Sequence, residues 1–338
     1  MKVLQLAKFN PSNYYGGIET VVRTIQKSHE NHSDKVLNIV RGHGGPSVNF
    51  GLDGKFFYLK RAWWILKSAR EFDLIYIHLP NFLCLLPLLL SLKSKKKVIC
   101  VYHSDVIKWG LIGRVYQIIT KYLLLNIETI LCSSNELISS SDTLSLHRDK
   151  CVVISFVSDI KVNETQKITD GDYLLLIARK SHYKGLDFAI DALSGHKLPL
   201  KIIGTSEISK EPNIEFYPNL DEESKLELIR NCKFLIVTSS SKSETYGISI
   251  VEAFSQGKVV VAPDLKTGIN SLVLNEKRGL LFRPRDKKSF LESVERLTTD
   301  NELRLAMQNN VVEFFSRELV FGKFEKELMK LVRKKMPL

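Results

Sequence analysis

No apolar run in this chain is long enough to cross a bilayer. The longest, "FLCLLPLLLSL" at 82–92, falls well short of the roughly 20 residues a spanning helix needs, so no transmembrane helix is expected. The opening "MKVLQLAKFNPS" lacks the shape of a signal peptide, because Gln5 and Lys8 break its apolar stretch and no cleavage site follows. The five cysteines never take C-x-x-C spacing, which argues against a zinc ribbon or a dithiol redox site and suits a reducing cytoplasm. No repeat of fixed period is present, nor is the G-x-G-x-x-G fingerprint of dinucleotide binding. Acidic residues are in deficit: 37 against 49 basic ones leave a net charge of +12. That balance favours anionic partners without choosing among nucleic acid, lipid and phosphorylated substrates. A nucleic-acid binder would need aromatics interleaved with lysines or a basic recognition helix. Neither appears, and the charge is dispersed, with local clusters only at 93–97 and 330–335.

With 44% hydrophobic and 25% charged residues over 338 positions, the chain has the composition of a globular protein and the length of two domains. Short β-branched runs alternate with helical patterns. In the first half they are "KVLQLAKF", "KVLNIVR", "KFFYLK", "DLIYIHL", "KVICVYH", "ETILCSS" and "KCVVIS". A second series follows the polar stretch at 158–172: "DYLLLIA", "PLKIIG", "NIEFYP", "KFLIVTS", "KVVVAP" and "RGLLF". Near-continuous apolar runs are the mark of parallel strands buried on both faces. The expected class is α/β: two Rossmann-like domains, 1–157 and 158–316, with a cleft between them, and a last helix at 317–338.

In open α/β sheets ligands bind beyond the carboxyl ends of the strands, which directs attention to the segments that follow strands. "NPSNYYGGIE" offers Gly16 and Gly17 at a helix start, where bare amides and the helix dipole favour an anion. "ARKSHYKG" carries Arg179 and Lys184, two cations suited to a diphosphate, although on a basic protein both could be ordinary solvated side chains. "HSD" supplies His103 and Asp105, and the plain alternative for His103 is a strand-end histidine bonded to backbone. His78 ends the preceding strand in the same way.

"SETYGISIVEAF" is the most informative stretch. Glu244 and Glu252 flank a helix start at Gly247. Carboxylates accept bidentately from neighbouring hydroxyls, while a helix start serves phosphate. A nucleotide-sugar has both groups, a diphosphate between two polyols. Two apparent metal motifs are set aside. "DGD" at 170–172 precedes a strand, at the wrong end of the sheet, and "HENH" at 29–32 has no third ligand nearby. No metal and no cofactor are expected.

Taken in order, these segments resemble the retaining GT-B glycosyltransferases of glycosyltransferase family 4, whose signature is two glutamates separated by seven residues, here Glu244 and Glu252. The resemblance runs over nearly the whole chain, through "GGIE", "HSD", "ARKSHYKGLDFAIDAL" and "SETYGISIVEAFSQGKVVVA". It implies that Glu252 binds the ribose and Glu244 the donor sugar, with amides from Tyr246, Gly247 and Ile248 nearby. It also implies that Arg179 and Lys184 neutralise the diphosphate, that Gly16 and Gly17 approach the distal phosphate, and that His103 contacts the sugar. Glu19 and Asp105 are acceptor-side candidates or supports. The last helix is implied to cross back onto the first domain. "SFVSDI" lacks the glycine relatives often have at the domain junction, and Tyr246 replaces a commoner phenylalanine.

The implied reaction transfers a hexose from a UDP- or GDP-sugar to a glycan hydroxyl in surface polysaccharide assembly, with a polyprenyl-diphosphate-linked glycan as one acceptor. The enzyme would be cytoplasmic, with the leucines of 82–92 read as a core helix and the lysines at 93–97 as a point of contact with anionic membrane at the inner face. A GT-B synthase making a soluble disaccharide or sugar phosphate is the alternative within the fold. A basic nucleic-acid-binding protein and a nucleotide-sugar holder without transfer are the alternatives outside it.

Overall fold

A computed structural model describes residues 1–7, 16–39, 71–81, 98–106, 110–160, 170–181, 183–206, 211–218 and 220–336. The expected strand at "KFFYLK", the apolar run at 82–92, the lysines at 93–97 and most of the expected linker lie outside them. The chain forms two compact units, Met1–Asp159 with Phe321–Leu338, and Ile160–Val320.

The first unit runs β1 (Lys2–Leu6), α1 (Gly17–Glu30), β2 (Lys35–Ile39), β3 (Leu74–Leu79), β4 (Val98–Tyr102), α2 (Gly110–Leu124), β5 (Ile130–Cys132), α3 (Asn135–Ser140) and β6 (Cys151–Val153). All pairings are parallel, in the order β2-β1-β3-β4-β5-β6. Every residue of β3 and β4 is buried, which is why their sequences are unbroken apolar runs rather than alternating ones.

The second unit continues with β7 (Leu174–Ile177), α4 (Leu186–Leu193), β8 (Leu200–Ile203), β9 (Ile214–Tyr217), α5 (Glu222–Asn231), β10 (Phe234–Ile236), α6 (Ile248–Ser255), β11 (Val260–Pro263), α7 (Gly268–Val273), β12 (Gly279–Phe282), α8 (Lys287–Thr299) and α9 (Asn301–Glu318). Its parallel sheet is ordered β12-β11-β10-β7-β8-β9. In each sheet the chain reverses its direction of travel once, between β1 and β3 and between β7 and β10. Such switch points open a crevice at the carboxyl ends of the strands.

The closing helix α10 (Phe321–Lys335) belongs to the first unit and packs on α1. Asn31 Nδ2 donates to Glu325 Oε1 at 3.2 Å, and Lys335 Nζ reaches Glu128 Oε2 at 3.1 Å. The two apparent metal motifs are structural. Asp170 is held by Arg304 at 2.9 Å and Lys233 at 3.3 Å. His29 lies between Asp34 Oδ2 at 2.7 Å and Tyr76 Oη at 2.9 Å.

Candidate active site

Seven of the ten described helix starts fall into two kinds. α3, α5, α8 and α9 begin with a serine or aspartate whose side chain accepts from a first-turn amide: Ser134, Asp221, Asp286 and Asp300. That is the ordinary way to satisfy the orphan N–H groups of a first turn. α1, α4 and α6 begin instead at Gly16, Gly185 and Gly247, with no side-chain cap. These three follow β1, β7 and β10, the strands beside the switch points. Amides at an uncapped start remain open to an anionic ligand.

In the second unit the loops after β7 and β10 are stitched together. Thr238 Oγ1 donates to the carbonyls of Lys184 (3.0 Å) and Gly185 (3.1 Å), and Ser240 N donates to Tyr183 O at 2.7 Å. Gly185 has φ +68°, and a Cβ there would sit 2.0 Å from the Thr238 carbonyl oxygen, so only glycine permits this approach. Gly247, at φ +87°, starts α6 in the same left-handed region.

The stitching brings Lys184 and Glu244 into one ion pair, Nζ to Oε2 at 2.5 Å, with Ser239 Oγ donating to the same carboxylate oxygen at 3.1 Å. Thr267 Oγ1 donates to the Glu244 carbonyl at 2.9 Å and ties in the loop after β11. Burial draws the Lys184 ammonium down, but the charge of Glu244 and its hydrogen bond more than offset that and leave the pKa raised. Arg179 is exposed just past β7, near enough for its charge to act on Lys184. Tyr246 and Glu252 are buried, and Ile248 opens α6.

Two further residues of this unit were not singled out by the sequence reading. Lys225, on α5, donates to Glu252 Oε1 at 2.8 Å. Arg285, past β12, reaches Ser240 Oγ at 3.5 Å and adds a cation to the same loop cluster. A cation following a strand end could have flagged Arg285; nothing in sequence links Lys225 to a glutamate 27 positions away.

In the first unit Gly16 and Gly17 start α1, and Glu19 is buried in its first turn. His103 follows β4 and is also buried, stacked on His78 and tilted against Phe156. A hydrogen-bond chain fixes its tautomer. Gln5 Nε2 donates to the Val22 carbonyl and to Asn38 Oδ1, each at 3.1 Å, so Gln5 Oε1 must accept from His78 Nε2 at 3.1 Å. His78 Nδ1 is then an acceptor, and His103 Nε2 donates to it at 3.0 Å. Burial pushes the His103 imidazole down to about 3, and burial followed by repulsion from His103 lowers His78 well below its ordinary value. Both rings are neutral near pH 7. Gln5 escaped the sequence reading, and His78 was noted there only for its position. Asp105 is engaged inside its unit, accepting from Tyr102 Oη, from Ser141 Oγ at 2.7 Å and from Asp142 N at 3.2 Å. Both of its carboxylate oxygens accept hydrogen bonds within the unit.

Known proteins carry the same two-part arrangement. Residues 15–156 match the family model described as Glycosyltransferase Family 4, and residues 157–314 match that of Glycosyl transferases group 1. The chain is 26% identical over 336 residues to the O-antigen chain mannosyltransferase C of Escherichia coli, an alignment covering 89% of this chain and 90% of that protein. It is 25% identical over 331 residues to the D-rhamnosyltransferase WbpZ of Pseudomonas aeruginosa, covering 87% and 86%. Among solved structures, Anabaena Alr3699/HepE in complex with UDP-glucose superimposes with a TM-score of 0.77 at 17% identity, over 99% of this chain and all of that one. Two adjoining family models that together take in residues 15–314, on two parallel six-stranded sheets, show that this chain belongs to the family 4, group 1 glycosyltransferases and is a glycosyltransferase of the GT-B fold.

Proposed function

We propose that the protein transfers a hexosyl group from a nucleoside diphosphate sugar to a hydroxyl of a growing surface glycan, with retention at the anomeric carbon. The observation that carries this reading is the Lys184–Glu244 pair set beside uncapped helix starts. A cation for phosphate and a carboxylate for sugar hydroxyls stand 2.5 Å apart, as a donor whose phosphate and hexose share one oxygen requires. Glu252 accepts from the ribose and Glu244 from the hexose. The amides of Gly17 and of Tyr246 to Ile248 face phosphate oxygens. His103, held neutral by burial and hydrogen-bonded through Nε2 to His78, contacts the hexose from the first unit.

Departure of the nucleoside diphosphate builds negative charge on its terminal phosphate. Lys184, already held by Glu244, is preorganised to stabilise that charge; Arg179 and the Gly17 amide are assigned the same task, and no divalent ion is needed in this scheme. The departing phosphate oxygen takes the acceptor's proton on the same face, so no carboxylate nucleophile is required, unlike in retaining glycosidases. The name of the Escherichia coli relative supports an O-antigen-type chain as acceptor and a mannosyl donor, and that of the Pseudomonas relative a D-rhamnosyl donor. The acceptor is a polyprenyl-diphosphate-linked glycan at the cytoplasmic leaflet, which the enzyme reaches as a peripheral protein. Among the described residues no helix is long and apolar enough to cross a membrane.

The test is a panel of UDP- and GDP-sugars scored by thermal midpoint, followed by release of nucleoside diphosphate on adding lipid-linked and soluble acceptors. A ligand held by the folded state at 100 times its Kd stabilises by about 2.7 kcal/mol. A panel without a single shift, and no diphosphate release, would refute the reading. Release with soluble sugars alone would move it to the synthase alternative.

A further inference from the structure

Helix α2 is apolar on two sides. Gly113, Tyr116, Thr120, Leu123 and Leu124 are buried within its own unit, as the inner face of a surface helix should be. On the outer face Leu111, Val115, Ile118, Tyr122 and, just past the helix end, Leu125 recur at alternate spacings of four and three. They leave between 48% and 76% of their surface exposed. Ile112 and Ile119, also exposed, widen the stripe to roughly 140° of the circumference at about 100° per residue. An exposed contiguous stripe of this kind marks an interaction surface.

The surrounding charges choose the partner. Arg114 and Lys121 lie on one border of the stripe, and α2 contains no acidic residue. More cations are tied to its carboxyl end. Lys150 Nζ donates to the carbonyls of Leu124 at 3.2 Å and Leu125 at 2.9 Å. His147 Nε2 donates to the Lys121 carbonyl at 2.8 Å, which brings the exposed Leu146 and Arg148 alongside. Lys335 binds Glu128, so the basic last turn of α10, with Arg333 and Lys334 exposed, arrives at the same end. Among the described residues at this end the acids are Glu128, already held by Lys335, and Asp149. A second copy docking through the same stripe would set Arg114 and Lys121 among like charges, with no carboxylate on α2 to answer them. An apolar stripe edged by cations fits the boundary between anionic headgroups and acyl chains.

We propose that α2 is the membrane-docking helix of this chain, lying along an anionic bilayer with Leu111, Ile118 and Tyr122 at the acyl boundary and Arg114, Lys121 and the end of α10 at the phosphates. This deepens the peripheral-membrane part of the proposed function and rests on it. Its test needs neither donor nor turnover, so it can fail while the transferase assignment stands.

The full chain is sedimented with vesicles of phosphatidylglycerol mixed equally with phosphatidylcholine, and with phosphatidylcholine alone. The wild type is expected on the anionic vesicles and not on the neutral ones. The variant Leu111→Ser/Ile118→Ser/Tyr122→Ser is expected to bind about tenfold or more weakly with an unchanged thermal midpoint. Arg114→Gln/Lys121→Gln is expected to lose roughly fivefold per cation. Absence of the wild type from both vesicles overturns the proposal, as does undiminished binding by the triple-serine variant. A lowered midpoint in that variant would mean the chain itself covers the stripe. A concentration-dependent dimer that the variant abolishes would mean a second copy does. Either result also overturns it.

Discussion

Glu244 and His103 both come from loops that follow a parallel strand, and both are largely withdrawn from water, yet their surroundings are opposite in kind. Glu244 is charged and answered by Lys184 at 2.5 Å, with Arg179 and Arg285 in the adjoining loops. His103 belongs to a chain of neutral groups running from Gln5 through His78. The charged cluster lies in the second unit and the neutral chain in the first. This division suits a transferase in which the departing group is an anion and the acceptor a neutral hydroxyl.

The sharpest way to break the comparison is to neutralise each side in turn. Glu244→Gln keeps the side-chain shape but removes the charge that holds Lys184 and that the proposed reaction assigns to the hexose hydroxyls. Transfer should fall by about 10²–10³ in kcat/KM, the range for losing one preorganised electrostatic group. His103→Gln keeps a donor toward His78 Nδ1 and should cost about tenfold, because it removes a positioning contact and no charge. Steady-state rates of both variants with one donor decide it. Equal losses would mean the neutral half shares the charge chemistry.

Stability gives the next largest effect. Lys184→Met leaves the Glu244 carboxylate, 11% exposed, without its cation, and should cost about 3 kcal/mol. Lys184→Met/Glu244→Gln should recover much of that. The sign with pH follows from the raised lysine pKa. The contribution is whole below the ordinary lysine value of 10.5 and drains as pH rises through the higher folded value. Urea unfolding of the wild type should therefore weaken from about pH 9 to about pH 11 more than that of the double variant. Parallel curves would show that the pair does not stabilise the fold.

Both sheets could be read from sequence because parallel strands buried on two faces are written as unbroken apolar runs, "DLIYIHL" and "KVICVYH" among them. Strand length could not. "ETILCSS" reads as a full strand, but only Ile130–Cys132 find partners on β6, and a strand ends where its neighbour does. The site was legible where one short segment supplies it, as in Glu244, Gly247 and Glu252. It was illegible where pairs come from distant strands or helices, as with Gln5 and His78 or Lys225 and Glu252. The outer face of α2 escaped because "GLIGRVYQIITKYLL" carries apolar residues on two faces, and sequence alone does not say which of them stay in water.

Acid tests the neutral half alone. His103 holds a folded pKa of about 3 against an ordinary 6.5, so the unfolded chain takes up its proton first. Stability is whole above about pH 6.5 and falls as pH drops toward about 3, by up to roughly 1.4 kcal/mol per pH unit for that one group. His103→Gln should be spared about 2 kcal/mol of the loss at about pH 5. Urea midpoints near neutrality and near pH 5 measure it, and an unchanged acid loss in the variant would show that His103 is not held neutral by the fold.

The smallest expected effect separates the two glutamates of the charged half. Lys225 Nζ donates to Glu252 Oε1 at 2.8 Å, which orients that carboxylate. If Glu252 serves the ribose, its contact is the same in the ground state and the transition state, and weakening it raises KM and leaves kcat alone. Lys225→Met should then raise the donor KM about fivefold, near 1 kcal/mol, with kcat within about twofold. Lys225→Arg should recover part of the loss, since a guanidinium can still donate to Oε1. A fall in kcat at constant KM would instead place Glu252 beside the reacting carbon and remove the distinction between the two carboxylates.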